Sequence, residues 1–251
     1  MGMEIAWWRL LGWSSKDKPL SQYIVVKDNA FCEGAPFMHQ LASTYLQNNF
    51  FLLYLSTETP WYSLYLSLRK LGVRLDSKVF KKRILFFDCL DSSETSGQNC
   101  PECFFQPFNR KIKDPYDLVS QVCSWTDQWL NGRSDPEPLS LAVIVDSATS
   151  ILYLTGQSDS FSLLFHYLRA MERKLNPALF CVCQLVHFDM GYGDELLKEA
   201  RFYDSLILHL DALPLGVPSE QDGRLSIEGR DQAIDTVLFK ILENQIKFFT
   251  I

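Results

Sequence analysis

Two stretches lie where a nucleotide hydrolase would carry its chemistry. The first is Leu139 to Asp146, LSLAVIVD, an apolar run that stops on a carboxylate. A run apolar on both faces suits a parallel strand covered by helices on either side, and a carboxylate at its carboxyl end lies where open α/β sheets place ligands. In a nucleotide hydrolase such an Asp holds magnesium. The second is the loop Lys27 to Pro36, between an apolar strand and a helix, where a phosphate-binding loop would lie. Cradling phosphate needs glycines that let successive N–H groups converge, a Lys for the terminal phosphates and a Ser or Thr for magnesium. Only Gly34 remains, and Ala35-Pro36 occupies the place of Lys and Thr. Pro36 also removes a backbone donor where an anion would bind. No catalytic residue and no cofactor is expected at this degenerate loop. Asp146 is expected to be bonded to nearby N–H groups or hydroxyls such as Ser147 and Thr149.

Other candidates are weaker. Cys100-Pro101-Glu102-Cys103 has the spacing of half a zinc knuckle, but no second CxxC supplies the remaining ligands, and Cys181 and Cys183 fall on one face of a buried strand. No metal is expected. His39, His166, His187 and His209 are scattered with no ligand spacing, and each reads as a packed or surface imidazole. Ser147 lacks the GxSxG elbow that would expose a nucleophile, and Gly191-Tyr192-Gly193 reads as a flexible turn. Two basic runs, Lys78, Lys81, Lys82 and Arg83, then Arg110, Lys111 and Lys113, are interleaved with Phe80, Phe105 and Phe108. That combination suits an RNA backbone with a stacked base, and equally a solvated rim.

The elements that must position these residues alternate. Strands are predicted at Gln22 to Val26, Phe50 to Ser56, Arg83 to Cys89, Leu139 to Asp146 and Leu179 to Val186. Between them lie helices from Pro36 to about Asn48, from Trp61 to Leu71 behind the Thr59-Pro60 cap, from Asp114-Pro115 to Asn131, and from about Asp159 to Leu175. Asp91 to Lys113 reads as an excursion loop. Such alternation implies right-handed crossovers and a mostly parallel sheet with helices on both faces. After Asp189 the segments Ser205 to Leu210, Arg224 to Glu228, Thr236 to Leu242 and Gln245 to Thr250 follow without long helices, with a hairpin turn at Glu243-Asn244. They are expected to extend the sheet antiparallel. The organisation is an N-terminal helical arm over 1–21 and a single domain over 22–251.

With 47% hydrophobic residues in 251, the chain can bury a substantial core. A net charge of -6 argues against strong autonomous nucleic-acid binding. Seven Cys without a secretory signal imply reduced thiols. No apolar run is long enough for a transmembrane helix. Trp7, Trp8 and Trp13 in the arm are expected to pack on the domain rather than enter a membrane.

A strand, loop and helix followed later by an apolar strand ending in Asp is the layout of a RecA-like P-loop fold with the phosphate loop degenerate. The loop before FMHQLASTYL, then FFLLYLSTETPWYSLYLSLRKLGVRL, LAVIVDSATSILYLTG and GRLSIEG…TVLFKILENQIKFF, in that order, resemble the Elongator complex protein 6 family. The fifth Elongator subunit is next closest. The resemblance implies a RecA-like ring subunit without catalytic residues, joined to the fourth and fifth subunits in a heterohexamer of cytoplasm and nucleus. It also implies docking on the catalytic subcomplex and binding of tRNA for carboxymethyl-type wobble-uridine modification, the chemistry belonging to another subunit. The competing expectations are a divergent RecA-like ATPase using Asp146 and a recombination accessory preferring single-stranded DNA.

Overall fold

The computed structural model describes residues 3–15, 19–77, 80, 82–89, 104–107, 115–131, 138–155, 160–188, 193–203, 205–213, 220–229 and 236–251. In chain order the elements are β1 (Glu4–Ile5), α1 (Trp7–Leu10), β2 (Gln22–Asp28), α2 (Ala35–Gln47), β3 (Phe51–Ser56) and α3 (Trp61–Lys70). Next come β4 (Ile84–Asp88), β5 (Phe104–Pro107), α4 (Pro115–Asn131), β6 (Ser140–Val145), α5 (Ala148–Thr155) and α6 (Ser160–Leu175). The last are β7 (Leu179–His187), α7 (Gly193–Phe202), β8 (Leu206–Ala212), β9 (Gly223–Glu228), β10 (Thr236–Leu242) and β11 (Gln245–Thr250). All described strands join one sheet, in the order β1-β11-β10-β9-β8-β2-β7-β6-β3-β4-β5. From β8 through β5 every pairing is parallel.

The continuous apolar runs follow from two covered faces. In β7, Cys181, Cys183 and Leu185 enter the core under α2 and α3, while Phe180, Val182 and Val186 enter the core under α4 to α7. β2 and β6 divide in the same way, Ile24 and Ala142 to one side and Val25 and Val143 to the other. Period-two alternation therefore exists in direction but not in polarity. α3 runs from its cap at Pro60, buries Leu64 and Leu68, and ends before Gly72, whose φ of 87° favours a residue without Cβ.

Several expectations are corrected. β2 continues two residues past Val26, so Lys27 and Asp28 belong to the strand and not to the loop. β8 pairs parallel with β2, and the antiparallel extension begins only at β9. α5 and α7 are helices where none was expected, and Gly193 opens the second of them. The excursion loop carries a short strand, β5, parallel to β4. The N-terminal arm is not simply helical: β1 pairs antiparallel with β11 before the single turn of α1. Trp7 stacks on Phe248 at 5.0 Å, and Trp13, 3% exposed, meets Tyr45 at 6.0 Å, so the arm is packed on the domain.

The antiparallel end is tightly fitted. A Cβ on Gly223 would lie 2.4 Å from Phe239 Cζ and 2.8 Å from the Asp211 carbonyl oxygen. Phe239 is fully buried and meets Phe37 edge-on at 5.0 Å, so neither neighbour can retreat freely. Gly223→Ala is expected to cost about 1–3 kcal/mol through overpacking, read as a lowered denaturant midpoint with an unchanged m-value.

Candidate functional site

Parallel strands place their carboxyl ends along one edge, and here each central strand delivers a polar side chain to it. β2 ends on Asp28, β3 on Ser56, β4 on Asp88 and β7 on His187, while Asp146 follows β6 directly. Registry makes Asp28 and His187 neighbours across β2 and β7, and Ser56 and Asp88 neighbours across β3 and β4.

Asp146 is 3% exposed and anchors the turn after β3. Its Oδ1 accepts the Thr57 N–H at 2.6 Å and the Thr57 hydroxyl at 2.7 Å. Its Oδ2 accepts the Glu58 N–H at 3.1 Å and the Thr59 N–H at 2.7 Å. The expected partners, Ser147 and Thr149, are corrected. β6 lies beside β3, so the carboxylate meets the turn of the adjacent strand rather than its own. Ser147 instead caps α5, its hydroxyl accepting the Ser150 N–H at 3.0 Å. The Thr149 hydroxyl accepts the His187 N–H at 2.9 Å.

The turn that Asp146 holds presents Glu58, and Glu58 joins a second network. His187 donates through Nδ1 to Asp28 at 2.9 Å and through Nε2 to Glu58 at 3.0 Å. Two donations require the imidazolium. The hydrogen bonds to Asp28 and Glu58 outweigh burial and raise the His187 pKa to about 10. Burial pushes Glu58 up, but hydrogen bonds from His187, Ser150 and Ser147 prevail and hold it at about 2. The Ser150 hydroxyl donates to Glu58 at 2.5 Å. Burial, reinforced by Asp146 and Asp88, drives the Cys89 thiol up and keeps it protonated. His39 on α2 is also within the field of Asp146, yet burial lowers its pKa.

Asp28 also reaches the loop. Its Oδ2 accepts the Gly34 N–H at 3.0 Å, and a Cβ on Gly34 would meet Leu185 at 2.3 Å and Asp28 at 3.2 Å. Asn29 and Cys32 close the loop into a tight bridge, and the Asn29 side chain donates to the Leu210 carbonyl at 2.9 Å. Gly34, Ala35 and Pro36 thus enter α2 with an internal carboxylate against the first N–H of the turn. Phosphate chemistry needs that N–H directed outward, with a cation beside it.

With this strand order and edge geometry, comparison with solved structures is informative. A KaiC-like protein of Pyrococcus horikoshii OT3 superposes with a TM-score of 0.60 at 11% identity, over 92% of this chain and 90% of that one. The flagellar accessory protein FlaH of Methanocaldococcus jannaschii gives 0.61 at 13% identity over 100% of both chains. An uncharacterised Pyrococcus horikoshii protein, crystallised with an unknown peptide, gives 0.59 at 13% identity over 91% of both. The fold is RecA-like. No family model and no curated protein matches the sequence.

In this RecA-like frame the predicted residues separate. Gly34 and Asp146 share the carboxyl edge, linked through Asp28, His187 and Glu58. Arg83 precedes β4 and therefore lies at the opposite, amino-terminal edge, where its Nη1 donates to Asn49 at 2.6 Å. Lys82 is exposed, and Phe80 is half-buried and packs against the core. Lys78, Lys81, Arg110, Lys111 and Lys113 lie outside the described residues, as do Cys100 and Cys103. No group of three or more metal-ligating side chains occurs among the described residues. Sequence reasoning missed Asp28, Glu58 and His187. The available signal was position: each lies at or just beyond the carboxyl end of a parallel strand.

Proposed function

We propose that this chain is a noncatalytic subunit of a RecA-like hetero-oligomeric ring of the Elongator type. It assembles with two paralogues and helps position tRNA for wobble-uridine modification carried out by another subunit. The observation that carries the noncatalytic part is the Asp28 carboxylate against the Gly34 N–H, backed by Pro36, which lacks a donor. A phosphate entering the loop would have to displace a carboxylate that His187 also holds, and would meet Glu58 and Asp146 as like charges. The Elongator part is supported by the ordered sequence resemblance on this same fold.

Native mass spectrometry of the tagged chain, purified from its own cells in mild salt, tests the assembly. The expected result is a ring containing this subunit twice together with two paralogues. A monomer or homo-oligomer would remove the Elongator reading. The second reading is a divergent ATPase using Asp146, which rests on the position of that carboxylate directly after β6 at the carboxyl edge. ATP binding by the folded chain, lost on replacing the loop, would favour it, and hydrolysis lost with the binding would establish it.

A further inference from the structure

A cleft of about 770 Å3 opens at the amino-terminal edge of the sheet, away from the Asp146 site. That volume is typical of small-ligand sites. The ends of α6 and α7 build it: His166, Arg169, Glu172 and Arg173 on one wall, Phe202 and Tyr203 on the other. Phe202 is 80% exposed, an unusual cost for a phenyl ring that could have packed inward. It is braced at right angles by Tyr203 at 5.2 Å, which is itself stacked on buried Phe165 at 4.9 Å. The aromatic wall is therefore exposed at Phe202 and anchored to the core through Tyr203.

The charged wall is also set. Arg169 lies over the Tyr23 ring at 4.0 Å and donates to Glu172 at 3.1 Å, while Tyr23 donates its hydroxyl proton to the same carboxylate at 3.1 Å. Both bonds fall on Oε2 of Glu172, whose charge Arg169 offsets. Arg173 is exposed and makes no ion pair among the described residues. Both helices present carbonyl ends here, so any attraction for an anion must come from side-chain cations rather than backbone dipoles.

We propose that this cleft binds a nucleotide, its base stacked on Phe202 and its phosphate held by Arg173, either free or within a single strand. An exposed ring lining the same cleft as an uncommitted guanidinium is the combination that base stacking and phosphate contact require.

Fluorescence anisotropy of a fluorescein-labelled oligoadenylate, titrated with the full chain at low salt, tests this. AMP competes in one arm and a polyglutamate peptide in another. Saturable binding is expected, weakened about tenfold by Phe202→Ala or by Arg173→Ala and retained in Phe202→Trp. Both altered positions are exposed, so folding is not at stake. Displacement by AMP assigns the site to free nucleotides; strand binding that AMP does not displace assigns it to nucleotides within a strand. No binding, binding indifferent to Phe202 and Arg173, or polyglutamate competing as well as the nucleotides would overturn the proposal. Ring assembly plays no part in the titration, so its failure leaves the subunit reading standing.

Discussion

Asp146→Ala is expected to lower the stability of the folded chain by about 3–5 kcal/mol, without passing through any nucleotide. The carboxylate accepts from three successive backbone N–H groups, those of Thr57, Glu58 and Thr59, and from the Thr57 hydroxyl. Alanine would leave these donors facing a buried gap, and an unmade buried hydrogen bond costs more than a made one contributes. Set against the 5–15 kcal/mol that typically holds a domain together, the loss is severe. Asp146→Asn keeps the shape and one carbonyl oxygen but turns an NH2 group toward existing donors, so an intermediate loss of about 1–3 kcal/mol is expected. Denaturant unfolding followed by circular dichroism measures both. A carboxylate whose role was to hold magnesium would behave otherwise: its alanine variant would unfold near the wild-type midpoint and lose only nucleotide binding.

The sheet interior was legible because a strand covered on both sides has no polar face. Phe51–Ser56 and Ser140–Val145 could be read from composition alone. The same rule misplaced the end of β2. Lys27 and Asp28 are polar and read as loop, yet strands finish on polar residues where they reach the carboxyl edge. α5 escaped notice because ATSILYLT is apolar around much of its circumference: Ala148, Ile151 and Leu152 are buried between β7 and α6. Its helical period is hidden by burial, as the period of a central strand is. α7, GDELLKEARF, is clearly amphipathic, but the preceding glycines and a strand-rich ending suggested a turn instead.

The candidate site was legible only in half. That the loop lacks the Lys and Thr of a phosphate loop needs no structure, because the missing residue types are visible locally. The network that fills its place does. Asp28 and His187 are 159 residues apart and Glu58 and His187 are 129 apart, and neither pair follows from spacing. They meet because β2 pairs with β7 and because β3 lies one strand beyond β6. The cleft between α6 and α7 is hidden for the same reason: Arg173 and Phe202 belong to successive crossovers, and only the wrapping of both helices on one face brings them together.

The His187 network should appear as an uncommon dependence of stability on pH. The imidazole pKa rises from 6.5 to about 10 in the folded chain, so its contribution is complete below pH 6.5 and is lost as pH climbs toward 10. Glu58 falls from 4.5 to about 2, so its contribution is complete above pH 4.5 and is lost as pH drops toward 2. Together they place the maximum between pH 4.5 and 6.5, with a decline already under way at neutrality. His187→Ala removes the cation between two carboxylates, which in a fully buried pair would cost 3–5 kcal/mol. Here Glu58 is 40% exposed and solvent screens it, so about 2–4 kcal/mol at pH 6 is expected. The decisive quantity is the difference between wild type and variant as pH rises from 6.5 to 10. Subtraction removes other groups that titrate on the alkaline side, such as the Cys89 thiol and the Tyr23 phenol, both raised chiefly by burial. That difference should shrink steadily across the range. Parallel profiles would mean that His187 is neutral in the folded chain and that its two carboxylate contacts carry no ion pair. His187→Gln separates the remaining terms: it can still donate one hydrogen bond to Asp28 or Glu58, but it has no charge to lose. It should therefore recover part of the stability at pH 6 and none of the pH dependence.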